Sequence, residues 1–206
     1  HGDSVRIADA CRKIALALHE RASTLDSSFA SMERALVISS AIQDHKGEQS
    51  AAKSLGKWYQ EQGDFPQALA HANRSLRVAE AAGDRKGICS ALVTAGGAQK
   101  GMGDPEAAAI SCYKALLIAR ELADPTREAE LLNNLGNLYF DLGRLDQAEG
   151  YYAQQKEHSC MHGLAATEAE AVRNLGMVAA SRGEFQVALG RVDTALALME
   201  VAGVPD

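Results

Sequence analysis

Aromatic residues make up only 5% of this 206-residue chain, which has one tryptophan and four prolines. A core with so few rings is filled by Ala, Leu, Val and Ile, and that suits helices that approach closely through small side chains. So few prolines leave long helices uninterrupted. No apolar run approaches the ~18 residues of a membrane-spanning helix, so no membrane partner is expected. Basic residues are not in excess. Net charge is −6, with the acidic surplus in residues 125–206. A nucleic-acid partner, which needs a basic face, is therefore not expected. The four cysteines, Cys11, Cys89, Cys112 and Cys160, show no CxxC spacing. They read as reduced thiols used as small apolar residues, which points to a cytoplasmic location. The opening His1-Gly2-Asp3-Ser4 has no initiator Met and no signal-peptide apolar region, so the chain reads as a piece of something larger.

Also missing are a nucleophile elbow, a Walker loop, a dinucleotide fingerprint and an HExxH motif. Gly96, Gly97, Gly101 and Gly103 resemble a phosphate loop in composition only, because they fall in register with a longer repeat and read as structural. Glu128 and Glu130 are paired carboxylates that read as a solvated face rather than as a catalytic pair. The expectation is a protein that is not an enzyme and uses no cofactor.

What is present is periodicity. Asn133-Asn134-Leu135-Gly136-Asn137-Leu138-Tyr139 shares its skeleton with segments one repeat length away on either side, a period of about 40 residues. Leu135-Gly136 recurs as Leu55-Gly56, Ala95-Gly96 and Leu175-Gly176. Gly143 recurs as Gly63, Gly103 and Gly183, and Ala148 as Ala68, Ala108 and Ala188. Strict register of this kind defines a repeat protein. Five units at about 5–44, 45–84, 85–124, 125–164 and 165–204 account for the chain as a single solenoid domain.

Each unit reads as two helices of similar length joined by short loops. First helices are expected near 5–20, 46–62, 86–102 and 126–142, and partner helices near 26–42, 65–82, 105–121, 145–161 and 185–201. In the first unit Ile7, Ala8, Cys11, Ile14, Ala15 and Leu18 hold helical spacing, while Leu16, Ser23 and Ser28 replace the repeat's glycines and alanine. Asp44, Asp84 and Asp124 are candidate N-caps, and Leu164 and Val204 break that column. Gly63-Asp64-Phe65-Pro66 and Gly103-Asp104-Pro105 read as turn, cap and first turn of the partner helix. The mid-helix glycines each cost about 1 kcal/mol relative to Ala, a cost kept where a facing helix comes close. Ala68, Ala108, Ala148 and Ala188 are the expected facing residues. Columns Leu55, Leu135, Leu175 and Leu36, Leu76, Leu116, Leu196 fill the core. Phe65, Leu145 and Phe185 are expected to pin each hairpin just past its turn.

Leu55-Gly56 with Tyr59, Leu135-Gly136 with Tyr139, a turn glycine and an alanine five positions later together resemble the tetratricopeptide repeats. The long period with Asn-Leu-Gly-Asn looks like the longer repeats of spindle-orientation scaffold proteins. Asn133-Asn134-Leu135 is similar to the kinesin light chain motif, and bacterial signalling regulators carry comparable arrays. The resemblance implies an all-α, right-handed superhelical solenoid whose first helices line a concave groove for extended peptides or partner helices.

The groove face also follows from the residues. Outside the packing stripes lie Ser50, Lys53, Ser54, Lys57 and Gln60, then Ser90, Val93, Thr94, Gly97 and Lys100. Later units place Glu130, Asn133, Asn134 and Asn137, then Glu170, Arg173, Asn174 and Met177. Lys53 and Lys57, one turn apart, repel unless an anion relieves them. Asn133 and Asn137 carry donors and an acceptor suited to an extended backbone. Lys53, Lys57, Thr94, Lys100, Asn133, Asn134, Asn137, Arg173 and Asn174 are thus the candidate partner-binding residues, with a basic end that suits an acidic or C-terminal carboxylate segment. Trp58 reads as core. Helix 145–161 is anomalous, with Gln155, Lys156 and His158 where other units are small or aliphatic, so its end is expected to fray or meet a partner. His158, Cys160 and His162 hint at a metal but lack a shared face and a fourth ligand, so no metal site is expected.

The functional expectation is a non-catalytic scaffold or adaptor that binds a peptide or helical segment of a partner protein. The alternative is the sensory or regulatory region of a larger signalling protein, binding a peptide or an adjacent domain. Self-association through the terminal hairpin, 185–201, is a third reading.

Overall fold

The computed structural model describes residues 25–203 together with Val5, Arg6, Asp9 and Lys13. The rest of the helix expected over 5–20, including Ile7, Ala8, Cys11, Ile14, Ala15, Leu16 and Leu18, lies outside the described residues, as do Ser23 and Val204. Among the described residues there are nine α-helices and no strands, an all-α helical-repeat solenoid. They are α1 (Leu25–Ala41), α2 (His45–Glu61), α3 (Phe65–Ala82), α4 (Arg85–Gly101), α5 (Pro105–Glu121), α6 (Pro125–Asp141), α7 (Leu145–Met161), α8 (Ala165–Ser181) and α9 (Phe185–Ala202). Helix starts advance in equal steps of half the sequence period, because each repeat is two helices of almost equal length.

One loop design serves all the junctions. After α2, the Gly63 N–H donates to Gln60 C=O at 3.1 Å and the Asp64 N–H to Tyr59 C=O at 2.9 Å. This pair of bonds satisfies carbonyls that a helix end leaves open, and it needs a left-handed residue at position 63. The left-handed position returns once per helix, at Gln43, Gly63, Gly83, Gly103, Ala123, Gly143, Gly163, Gly183 and Gly203. Seven of these are glycine, while Gln43 and Ala123 hold φ of 56° and 49°. The residue that follows becomes the next N-cap. Asp44, Asp64, Asp104 and Asp124 accept the N–H of Gly47, Gln67, Ala107 and Arg127 at 3.0, 3.2, 2.9 and 3.0 Å. Leu164 makes no side-chain cap, as the break in its column implied. Such a cap is worth about 1 kcal/mol.

By its contacts the chain divides into two compact units, residues 1–111 and 112–206, and α5 runs through the boundary. In the first unit Met32, Ala35, Leu36, Ala51, Ala52 and Leu55 form a core, with Phe29, Trp58 and Tyr59 packed on it. Trp58 is core, 4.4 Å from Phe29 and 5.1 Å from Tyr59 between ring centroids. In the second unit Ala148, Tyr152, Leu175 and Val178 form the core, flanked by Tyr139, Phe140 and Leu145.

The mid-helix glycines admit their neighbours as expected at two positions and differently at a third. A Cβ at Gly56 or Gly176 would stand 3.4 Å from the carbonyl oxygen of Ala68 or Ala188. At Gly136 the space is taken by the ring of Tyr152 rather than by Ala148. Phe65 packs on Gly101, its ring filling the volume a side chain there would need, so it pins one hairpin to the next rather than to itself. Phe185 does not pin anything: it is 70% exposed, and Leu189, Val192 and Leu196 share its exposed stripe on α9. The expectation that Phe185 and Leu196 are core residues is corrected on this ground. Their counterparts earlier in the chain are covered by a following hairpin.

Candidate binding surface on the first helices

In the first unit, α2 and α4 are neighbouring first helices, and a pocket of about 220 Å3 opens between them. Lys46, Gln49, Ser50 and Lys53 line it from α2, one face by virtue of their three- and four-residue spacing, and Lys86, Gly87 and Ser90 line it from α4. Asp84, the residue before α4, makes no side-chain capping bond. Its Oδ2 instead accepts from Gln49 Nε2 at 2.8 Å, linking the two helices. That bond holds the Asp84 carboxyl below the usual carboxylate range, and the adjacent Gly87 and Lys86 N–H groups and the Lys46 ammonium add to the effect. Gly87 makes the link possible, since a Cβ there would collide with Gln49 Nε2.

The other expected residues of this unit are distributed unequally. Lys53 is half-buried, and Lys57 and Lys100 are exposed. Thr94 is buried, and its hydroxyl donates to the Ser90 carbonyl at 3.2 Å, so it offers almost no surface. Gly97 and Gly101 are structural: Gln60 and Phe65 of the preceding hairpin occupy the space their side chains would need.

In the second unit the asparagines bind one another. Asn174 is buried, and its Nδ2 donates to Asn133 Oδ1 at 2.8 Å. Asn133 Nδ2 donates to Glu170 Oε1 at 3.3 Å, which commits both ends of Asn133. Asn137 differs, because its Oδ1 accepts the Tyr152 hydroxyl at 2.7 Å while its Nδ2 has no partner among the described residues. Burial pushes the Tyr152 phenol up to about 12, with Asp141 adding to the rise and Arg173 opposing it. Asn134 is half-exposed and Arg173 exposed, the latter 3.9 Å from Glu170 in a solvent-screened pair. Glu170 and Arg173 also border an open cavity of about 390 Å3 with Ala166, Thr167, Ala169 and Met199.

The anomalous helix is intact to Met161, which corrects the expectation that its end frays. His158 Nε2 lies 3.0 Å from the Pro125 carbonyl, and His162 Nδ1 lies 2.9 Å from the His158 carbonyl. A carbonyl only accepts, so each of these nitrogens carries its proton. Gln155 is fully buried and reaches the Thr167 carbonyl at 3.5 Å. Among the described residues no group of three or more His, Cys, Asp or Glu is placed to hold a metal ion. No described helix is long and apolar enough to cross a membrane.

Sequence reasoning passed over Lys46, Lys86 and Tyr152. The first two had a signal, since they stand one full period apart and Lys46 is two turns before Lys53. Tyr152 had a weaker one: the one aromatic residue in a column otherwise holding Met32, Ala72, Cys112 and Val192.

Family models described as tetratricopeptide repeat match residues 87–154, and 54–74 with 176–200. No curated protein sequence matches the chain significantly. Among solved structures, BtubC (BKLC) from P. vanneervenii is similar over 100% of this chain and 91% of its own, with TM-score 0.81 and 18% identity. The tetratricopeptide repeat sensor STAND protein PH0952 from Pyrococcus horikoshii matches 93% of this chain with TM-score 0.83 and 17% identity, over 29% of its own length. A Rap protein complexed with competence and sporulation factor matches 92% of this chain with TM-score 0.74 and 15% identity, over 53% of its own length.

Proposed function

The chain belongs to the tetratricopeptide repeat family, and from that premise we propose that it is a non-catalytic protein-binding module that receives an acidic peptide or helical segment of a partner on the exposed face of its first helices. The observation that carries this reading is the concentration of Lys46, Lys53, Lys57 and Lys86 on α2 and α4 of a chain whose net charge is −6. A basic patch on an acidic molecule steers acidic segments toward it and turns basic ones away. In the second unit, the Asn137 Nδ2 is a donor for a backbone carbonyl of a bound segment, with Asn134 and Arg173 beside it in sequence register. The similar Rap protein, complexed with competence and sporulation factor, supports the reading of such a repeat array as a receiver of a bound partner.

The test begins with affinity capture from the source cells. Binding of the captured segment is then compared between the unaltered chain and the Lys53→Glu, Lys57→Glu double variant. Affinity is expected to fall by about tenfold or more while helicity and melting stay unchanged, since roughly 1.4 kcal/mol is tenfold. Unaltered affinity would sink the assignment and move attention to α7 around Lys156 and His158.

A second reading is the sensory or regulatory region of a larger signalling protein, supported by the STAND sensor likeness. An adjoining cyclase, kinase or DNA-binding domain in the full-length gene would favour it. A third is self-association through α9, whose exposed Phe185, Leu189, Val192 and Leu196 form one stripe. A strict monomer by sedimentation at high concentration would reject it.

A further inference from the structure

Helix α9 carries Phe185, Leu189, Val192, Leu196 and Met199, spaced alternately by four and three residues. That spacing puts all five on one seam of the kind a second helix covers. The first four are 41–70% exposed, and Met199 is half-buried. The same five positions of α3 hold Phe65, Leu69, Ala72, Leu76 and Ala79. There none is exposed, and Ala72 and Ala79 are fully buried. Helix α4 packs on α3, and its last residue, Gly101, lies under Phe65, the first residue of α3. The two helices therefore run antiparallel. The phenylalanine and both leucines are unchanged between α3 and α9, so α9 displays the seat that α4 fills on α3.

The edges of the seat choose its occupant. On one edge the Ala188 carbonyl meets Gly176 of α8. On the other lie Asp193 and Glu200, two turns apart. Both are exposed, and neither has an ion-pair partner among the described residues. Past Met199 the seam opens into the cavity of about 390 Å3, where Glu170 of α8 adds a carboxylate 3.9 Å from Arg173. Two α9 helices paired antiparallel would set their acidic edges side by side, in a chain whose net charge is already −6. A second copy therefore fits poorly. A helix with Lys or Arg two turns apart along one edge meets both carboxylates while its apolar face covers the seam.

We propose that α9 is a docking face for a helix of a partner protein, one with an apolar seam and a basic edge. The covering helix runs antiparallel to α9, as α4 does to α3, with a small residue near its C-terminus to admit the Phe185 ring. Its first turn then lies at the cavity beside Glu170, where a carboxylate suits the positive end of a helix. This face goes beyond the reading of the first helices and stands without it, because it selects the opposite charge and lies on the second helix of a hairpin.

The experiment titrates the intact chain with end-capped synthetic helical peptides of about five turns, following α9 amide signals by NMR. The peptides share an apolar seam of the same spacing and a glycine near the C-terminus. They differ only in carrying two lysines or two glutamates, two turns apart, on one edge. Saturable shifts around Leu189 and Asp193 are expected with the lysine peptide, at about fivefold or more higher affinity than the glutamate version at low salt. The two affinities should converge at high salt. Leu189→Gln with Leu196→Gln should abolish the shifts at unchanged melting temperature, since both side chains are exposed. Asp193→Lys with Glu200→Lys should reverse the order of the two peptides, and Lys53→Glu with Lys57→Glu should leave it unaltered. Equal affinity for the two peptides, or no saturable shifts, would overturn the inference. Dimerisation of the chain in sedimentation, lost in the Leu189→Gln, Leu196→Gln variant, would give the face to a second copy and overturn it. Loss of peptide binding in the full-length gene product would give it to another helix of the same polypeptide, with the same consequence.

Discussion

The phenol of Tyr152 on α7 donates to Asn137 Oδ1 on α6 at 2.7 Å, with its ring lying where a side chain at Gly136 would be. One glycine thus decides both the packing of the second unit's core and the orientation of a candidate binding residue. With its oxygen occupied by Tyr152, Asn137 presents its amide nitrogen, whereas Asn133 a turn earlier has both ends engaged.

Gly136→Ala should therefore destabilise the chain by about 2 kcal/mol, because the ring must move and the Asn137 bond goes with it. Gly150→Ala is the matched contrast: it is mid-helix, nothing lies within 4 Å of its would-be Cβ, and a gain of up to about 1 kcal/mol is expected. Urea denaturation midpoints of the two variants should move in opposite directions.

Alkaline stability follows from Tyr152. Its folded value of about 12 stands above the ordinary 10, so the folded state resists losing that proton. The sign is then fixed: the contribution is whole below pH ~10 and is lost as pH rises through ~12, on the order of 2 kcal/mol. Tyrosinate absorbance of one phenol should appear late, and Tyr152→Phe should remove that late phase and flatten the alkaline slope of stability.

Acid sensitivity traces to His71. Burial lowers its pKa, Arg74 adds to the lowering and Glu33 opposes it, while its Nδ1 is buried without a partner and its ring stacks on Tyr59 at 5.3 Å. The unfolded chain takes up this proton first. Stability is thus full above the ordinary histidine value near 6.5 and declines as pH falls below it. Melting temperatures between roughly pH 7 and pH 5 should show a shallower decline in His71→Phe than in the unaltered chain.

Gln43 and Ala123 hold left-handed backbone with side chains attached. Each carries a steric cost of about 1 kcal/mol that glycine avoids, partly offset by glycine's larger unfolded-state entropy. Ala123→Gly and Gln43→Gly should each raise stability by up to ~1 kcal/mol, and Gly103→Ala should lower it by a similar amount. Thermal melts of the three variants check this together.

The hairpins were legible because caps, turn glycines and small mid-helix residues are local requirements that recur in register. Asp44, Gly63, Asp64 and Leu164 all behave as their positions indicated. The even spacing of left-handed turns, one per helix, was hidden by Gln43 and Ala123, where tertiary context holds a non-glycine in a glycine's conformation. The binding face was legible only as a face. Whether an asparagine on it meets a partner or its own neighbour depends on the adjacent helix, and Asn133 and Asn174 pair across 41 positions that no single-helix pattern connects. Lys46 and Lys86 gain meaning only when α2 and α4 lie side by side.

The turns repeat once per helix while equivalent faces repeat once per pair of helices, and this imposes a parity rule on how such a chain can change length. Removing one helix with its loop would leave each remaining junction well formed. It would also turn every downstream first helix into a partner helix, forcing Leu135-type residues into the buried column of Ser75, Ala115, Gln155 and Ala195, which holds mostly smaller side chains. Viable length variants are therefore even-numbered in helices, and an odd deletion is expected to fold each turn correctly and still fail as a protein.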